Sequence, residues 1–226
     1  MTDFLVLEKN SGLGGTWYEN RYPGCACGIR IALYSLSFEQ RRNWTRDYAT
    51  QKEMLKYLKD VSQKWNVPRY IRLNSTVLEA HWDDHKLQRR SRFPPMAFRV
   101  QSSRHTSSRP TSLCASAVQI VPELAKTASQ LTIYQRSPKW IVPRKDRSIS
   151  RAEKNLLTWF SPLRWLKRAV PMWLRESVHA YITNPDYSQT QIDWVLRWMK
   201  ARVPNKPEGW DALTSRYPLG CTRILV

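Results

Sequence analysis

No stretch of about 20 consecutive apolar residues occurs in this sequence, so no segment reads as a membrane-spanning helix. The nearest approach, Leu156 to Leu174, is broken by Arg164, Lys167, Arg168 and two prolines. Being basic and aromatic, it leaves weak contact with a membrane surface open. Cysteine is scarce: the four residues at 25, 27, 114 and 221 make no C-x-x-C pair and no zinc spacing, so no metal site is expected. The plain reading is a reducing, cytoplasmic setting. The opening MTDFLVLEK has an apolar run far too short for a signal peptide. Acidic residues are the other shortage, 18 against 37 basic, for a net charge of +19. That balance raises the question of nucleic acid, and its distribution answers it. The excess is +2 over residues 1–84, +7 over 85–112, zero over 113–135 and +10 over 136–226. It sits in two blocks with no recognisable binding fold, so no specific nucleic-acid partner is expected.

What is present begins with a short apolar strand candidate, Phe4 to Leu7, closed by Glu8 and followed by GLGGTWYENRYPGCAC, Gly12 to Cys27. Glycines admit positive φ and close approach of a ligand to the backbone. An acid closing a strand is the usual partner of ribose hydroxyls in a dinucleotide fold. Eleven tryptophans and ten tyrosines suit flat conjugated ligands, or equally a large core. Ile31 to Phe38 alternates in part and is expected to be extended. Thr50-Gln51-Lys52-Glu53 is a capping box opening a helix with Met54, Leu55, Leu58, Val61 and Trp65 as its core stripe. Ile71, Leu73, Val77, Ala80 and Trp82 suggest a β-pair broken at Asn74-Ser75. Residues 85–112 follow neither apolar period and read as a basic, low-order linker. Ala115 to about Ala128 reads as a helix, Leu131 to Tyr134 as a strand, and 146–216 as helical, with Leu156, Leu157, Phe160, Leu163, Leu166, Ile192, Val195, Leu196 and Met199 as apolar faces.

The segment GGTWYENRYPGCAC resembles the flavin-proximal segment of the FAD-dependent Baeyer–Villiger monooxygenases and their flavin-containing relatives. ASAVQIVPELAKTASQLTIYQRSPKWIVPR resembles their second, NADP-binding βαβ unit, and Tyr217-Pro218-Leu219-Gly220-Cys221-Thr222-Arg223 is similar to their Y-P-x-G-C-K-R segment. The resemblance implies an α/β fold: an incomplete flavoprotein of two Rossmann-like dinucleotide-binding domains with a helical insertion. It divides the chain into part of an FAD domain (1–84), the linker (85–112), part of an NADP domain (113–145), and a helical segment returning to the FAD domain (146–226).

Carried over by position, the resemblance gives FAD contacts at Glu8, Gly15, Thr16, Trp17, Tyr18, Glu19, Gly28, Ile29 and Tyr34. Ala26, Cys27 and Gly28 would lie toward the nicotinamide, and Ser116, Gln119, Arg136 and Ser137 would hold NADP. An arginine after the strand can take the 2′-phosphate. Arg223 would be catalytic, stabilising the anionic peroxyflavin by charge; the alternative is an ordinary surface arginine.

The sequence also departs from that pattern. No G-x-G-x-x-G turn precedes Glu8, and Thr111-Ser112-Leu113-Cys114 stands where the second glycine-rich turn is expected. The F-x-G-x-x-x-H-x-x-x-W signature is missing, Gly28 replaces an aspartate, and Thr222 replaces a lysine. A spliced-out or frame-shifted interval would account for the lost motifs and the basic block. Two function classes follow. One is an FAD- and NADPH-dependent monooxygenase using O₂ on a small-molecule ketone, of a kind found in secondary metabolism, impaired by the losses. The other is an inactive, non-catalytic fragment of such an enzyme.

Overall fold

The computed structural model describes residues 4–83, 88–92, 116–133, 137–176, 185–205 and 207–217. In chain order the elements are β1 (Val6–Leu7), α1 (Thr16–Glu19), α2 (Ile31–Tyr34), α3 (Gln51–Lys64), a 3-10 turn (Val67–Tyr70), β2 (Ile71–Arg72), β3 (Glu79–Asp83) and β4 (Gln88–Arg92). They continue with α4 (Ala117–Leu124), α5 (Arg151–Trp159), α6 (Ser161–Glu176), α7 (Pro185–Arg202), a second 3-10 turn (Pro207–Gly209) and α8 (Trp210–Leu213). The chain forms two compact units: Met1–Arg21 with Gln51–Arg109, and Tyr22–Thr50 with Pro110–Val226.

In the first unit β1 pairs in parallel with β2, Val6 opposite Ile71 and Leu7 opposite Arg72. The ladder runs on through Glu8 N–H to the Arg72 carbonyl (3.0 Å) and Ser75 N–H to the Glu8 carbonyl (2.8 Å). Ile71 therefore pairs with the N-terminal strand, not with the Val77–Trp82 run as its sequence neighbourhood suggests. Helix α3 buries Gln51, Met54 and Tyr57. Trp65, expected in that stripe, is exposed instead, because Asn66 takes a left-handed conformation (φ 51°) directly after it and turns the chain away. Strand β3 pairs antiparallel with β4, Glu79 opposite Arg92 through Asp83 opposite Gln88. This corrects the low-order reading at 88–92. A hairpin's ladder is made of backbone groups, so QRRSR can complete it without an apolar alternation. Residues 93–112 of that segment lie outside the described set.

In the second unit the segments 26–31, 45–50 and 146–149 are tied side by side. Ala26 bridges Thr50, Cys27 N–H donates to the Ala49 carbonyl (2.8 Å), Arg46 bridges Ser148, and Asp47 N–H donates to the Arg147 carbonyl (3.0 Å). Around them Cys27, Ile31, Trp44, Ala49, Ile149 and Leu157 are buried. The expected extension over Ile31–Phe38 is a short helix over Ile31–Tyr34 instead. The free carbonyls at its end are taken by Arg168, whose Nη1 donates to the Ala32 (3.0 Å) and Ser35 (2.7 Å) carbonyls.

Helix α4 is shorter than the sequence suggests. Pro122 inside it lacks the N–H that would reach Val118, and beyond Leu124 the chain continues as turns. Leu131–Ile133 carry no regular structure where a strand is expected, and Tyr134 lies outside the described residues. The helical expectation for 146–216 matches α5 to α8. Ser150 caps α5 by accepting from Glu153 N–H (3.2 Å). Val195 of α7 packs with Trp140, against Val142, Ile192 and Leu196.

Candidate functional site

Each unit holds its own group of the residues singled out by sequence. In the first, Glu8 follows β1 and its Oε1 accepts from both the backbone N–H and the Nδ2 of Asn10, each at 2.9 Å. Asn10 Nδ2 also reaches Glu19 Oε1 (3.0 Å), which pairs with Lys9 at 2.8 Å. The hydrogen bond from Lys9, then that from Asn10, lowers the Glu19 carboxyl below its ordinary value. Asn10 thus ties the two acidic residues together, a role no sequence spacing announced. Its only signal was its position two residues beyond the acid, where an Asn side chain bonds back to its own turn.

The glycines of this loop divide by what surrounds them. A Cβ on Gly12 would stand 2.6 Å from the Tyr18 ring, and one on Gly14 (φ 131°) 2.4 Å from Leu55 Cδ1. Both face the chain's own side chains, and at Gly14 the positive φ adds a backbone reason for glycine. Gly15 (φ 49°) faces open space, with nothing within 4 Å of a Cβ there. Beside it, Thr16 opens α1. Trp17 is buried, with its carbonyl accepting from Gln51 Nε2. Tyr18 points its hydroxyl at Ser11 Oγ (2.7 Å) under the Arg21 guanidinium. The Glu8 carboxylate is thus anchored by Asn10, and Gly15 leaves an open backbone edge in the same unit.

In the second unit Tyr22-Pro23-Gly24-Cys25 is a tight turn, Cys25 N–H donating to the Tyr22 carbonyl (3.1 Å) with Gly24 at φ 76°. Gln119, on the first turns of α4, clamps the residues that follow. Its Oε1 accepts from Ala26 N–H (3.2 Å) and Tyr22 Oη (3.0 Å), and its Nε2 donates to the Ala26 carbonyl (2.9 Å). A Cβ on Gly24 would strike the Gln119 carbonyl at 2.5 Å, so this turn lies directly on α4. Ser116 precedes α4 and its carbonyl accepts from Gln119 and Ile120 N–H.

Burial pushes the Cys25 and Cys27 thiols up, so neither is a ready thiolate. For Cys27 the Ile29 backbone and the charge of Arg144 oppose that rise. Arg144 went unremarked in the sequence beyond its place in the KWIVPR run. Its guanidinium lies 4.6 Å from the Tyr48 ring centroid and 3.7 Å from Asp146, and its buried Nε has no hydrogen-bond partner. Gly28 and Ile29 follow Cys27 toward α2, where Tyr34 is exposed; Ser137 is half-buried. Arg136 and Arg223 lie outside the described residues.

Comparison with known proteins decides the family. No family model matches the sequence. An FAD-binding monooxygenase, ktnD of Aspergillus niger, is 37% identical across 99% of this chain. A Baeyer–Villiger monooxygenase of Streptomyces coelicolor is 30% identical across all of it. The chain belongs to the FAD-binding, Baeyer–Villiger-type monooxygenase family. It spans about half the length of these relatives, 45% of the first and 51% of the second. The first alignment runs over 278 positions against a chain of 226 residues, so the relative carries internal stretches with no counterpart here.

The fold agrees with that membership. A steroid monooxygenase bound to NADP superposes with a TM-score of 0.74 at 23% identity, over 98% of this chain and 57% of its own. The monooxygenase OTEMO with FAD and NADP gives 0.74 at 19%, with the same two coverages. The chain is therefore α/β, part of a fold with two dinucleotide-binding domains. Among its described residues no helix is long and apolar enough to cross a membrane.

Proposed function

We propose that this chain carries the inner, flavin-facing part of an FAD- and NADPH-dependent monooxygenase that oxygenates a small-molecule ketone with O₂. The observation that supports the reading is the Glu8 carboxylate held in place by Asn10, in the same unit as the open backbone edge at Gly15. Glu8 would accept from the ribose hydroxyls of FAD, while Asn10 fixes the carboxylate's orientation before the ligand arrives. Gly15 and Thr16 would lie against the ligand with bare backbone, and Tyr18 and Glu19 would border it.

The chemistry the flavin supplies when bound is hydride acceptance from NADPH and activation of O₂. The protein's share is position and charge. Ala26 to Ile29 and Tyr34 would contact the flavin and nicotinamide rings, with Gln119 acting through its grip on Ala26. Ser116, Arg136 and Ser137 would hold NADP, the arginine taking the 2′-phosphate. Arg223 would supply the cation beside the reacting oxygen. Arg144 already places a positive charge toward Cys27.

A second reading, a non-catalytic member, is favoured by one sequence feature: Leu113-Cys114 stands where the family's glycine-rich turn is expected, and side chains in such a turn would crowd phosphate oxygens that need bare N–H groups. The purified chain mixed with FAD separates the two. Flavin fluorescence quenching that saturates, loss of that quenching in Glu8→Ala, and ketone-dependent NADPH consumption would establish the enzyme. Saturable FAD binding without NADPH consumption would establish the non-catalytic reading, and no binding at all would refute the assignment of Glu8.

A further inference from the structure

Helix α6 is built inside out. Its described cations turn toward its own unit: Lys167 Nζ lies 2.8 Å from Glu153 and 3.5 Å from Asp47, and Arg168 donates to the Ala32 and Ser35 carbonyls. Arg164 donates to the Leu157 carbonyl (2.8 Å) and Ser161 Oγ (2.6 Å). The opposite side presents Trp165, Leu166, Val170, Met172, Trp173 and Leu174 to solvent, the two tryptophans 68% and 71% exposed. Trp159, 88% exposed, precedes the helix. Among the described side chains, charge on this apolar side is confined to Glu176 at its end. An ordinary surface helix does the reverse, burying its apolar stripe and hydrating its charges.

We propose that the apolar face of α6 docks on a membrane surface that carries anionic lipid. The helix lies in the plane of the interface, since no described helix is long and apolar enough to cross. Tryptophan prefers that depth, where the ring leaves water and the indole N–H keeps a polar partner. Charge selects this occupant over a second copy of the chain. The net charge of +19, of which +10 falls within residues 136–226, attracts anionic headgroups and repels an identical molecule. The inward ion pairs of Lys167 and the carbonyl hydrogen bonds of Arg168 keep these cations from meeting hydrocarbon when the face inserts. This attachment is independent of whether a flavin is bound.

The test uses the whole chain with vesicles of phosphatidylcholine, alone or mixed with phosphatidylglycerol, read by flotation and by tryptophan emission. The chain is expected to float with the mixed vesicles, with a blue-shifted emission that brominated lipid quenches. Trp165→Gln combined with Leu166→Gln is expected to lower the bound fraction roughly tenfold or more. Trp65→Gln, an exposed tryptophan of the other unit, is expected to bind as wild type. Matching far-UV circular dichroism confirms that the variants fold; the quenching measurement on wild type needs no variant. Three results would overturn the proposal: no flotation, equal flotation of the α6 double variant (bulk charge alone), or a vesicle-free dimer that this variant dissociates.

Discussion

Gln119 and Ala26 share two hydrogen bonds, Ala26 N–H to Oε1 at 3.2 Å and Nε2 to the Ala26 carbonyl at 2.9 Å, so one side-chain amide completes both backbone groups of a residue 93 positions away. With Tyr22 donating to the same oxygen, both acceptor positions of that oxygen are used within the protein. Gln119→Ala would leave both Ala26 groups and the tyrosine hydroxyl without this partner. The expected cost is about 1–3 kcal/mol in a urea titration. Faster hydrogen exchange at Ala26 than at Cys27, whose N–H bonds to Ala49, locates the effect. Gln119→Glu keeps the acceptor and loses the donor, so it should protect the Ala26 amide while still destabilising the turn.

Gly14 and Gly15 should respond to the same change for different reasons. Gly14→Ala meets Leu55 Cδ1 at 2.4 Å in a backbone conformation side chains avoid, and should lower stability by about 1–3 kcal/mol. Gly15→Ala meets no neighbour, so its cost, about 1–3 kcal/mol, comes from the backbone alone, which at φ 49° and ψ −120° lies outside the left-handed helical region. If Gly15 borders a ligand, its alanine variant should nevertheless lose FAD affinity, measured by fluorescence titration. Unchanged affinity would remove Gly15 from the proposed site.

Glu153 sets the acid limit of the second unit. The hydrogen bond from Arg147 (2.6 Å), aided by Lys167, holds its carboxyl down at about 2, against an ordinary 4.5, despite the opposing effect of burial. Because the folded-state value is the lower one, this contribution is complete above about pH 4.5 and disappears as pH falls through about 2. Glu153→Gln should therefore be less stable than wild type at neutral pH and show a flatter dependence of Tm on pH over that window. A carbon-detected titration of the Glu153 carboxyl with a midpoint near 4.5 would contradict the network.

Trp140 and Val195 join the 137–149 segment to α7. Trp140→Ala removes a buried ring and the donor to the Tyr217 carbonyl (2.8 Å), at an expected cost of about 3–5 kcal/mol. Trp140→Phe, which loses chiefly the N–H, should cost about 1 kcal/mol. Thermal melts separate the two.

How much of this was readable beforehand depends on the range of the forces. Helices α3 and α5 to α7 were legible because an apolar period is local, and before α3 the sequence offered a capping box as well. Helix α2 was not: the alternation of Ile31 to Phe38 fits an extended chain equally well, and the group that donates to the carbonyls at the end of this turn, Arg168, lies far along the sequence. Strand β4 was hidden because its pairing rests on backbone groups that carry no sequence signature. At the candidate site, Glu8 and the glycines were visible as residue types. What each glycine is for, packing at Gly12 and Gly14 against open space at Gly15, follows only from where Tyr18 and Leu55 stand. Gln119 was singled out as a nucleotide contact, and its bonds to Ala26 and Tyr22 show why a residue can matter to a loop it does not belong to.

The interleaving of the two units governs how this polypeptide can be made and cut. Residues 22–50 leave one unit and the chain re-enters it at Gln51, so no single truncation point yields either unit whole. During synthesis the 45–50 segment emerges early and must wait, its edge uncovered, until Arg147 and Ser148 leave the ribosome to pair with it. That interval is when a chaperone would be needed, and when a stalled product would be most prone to clump.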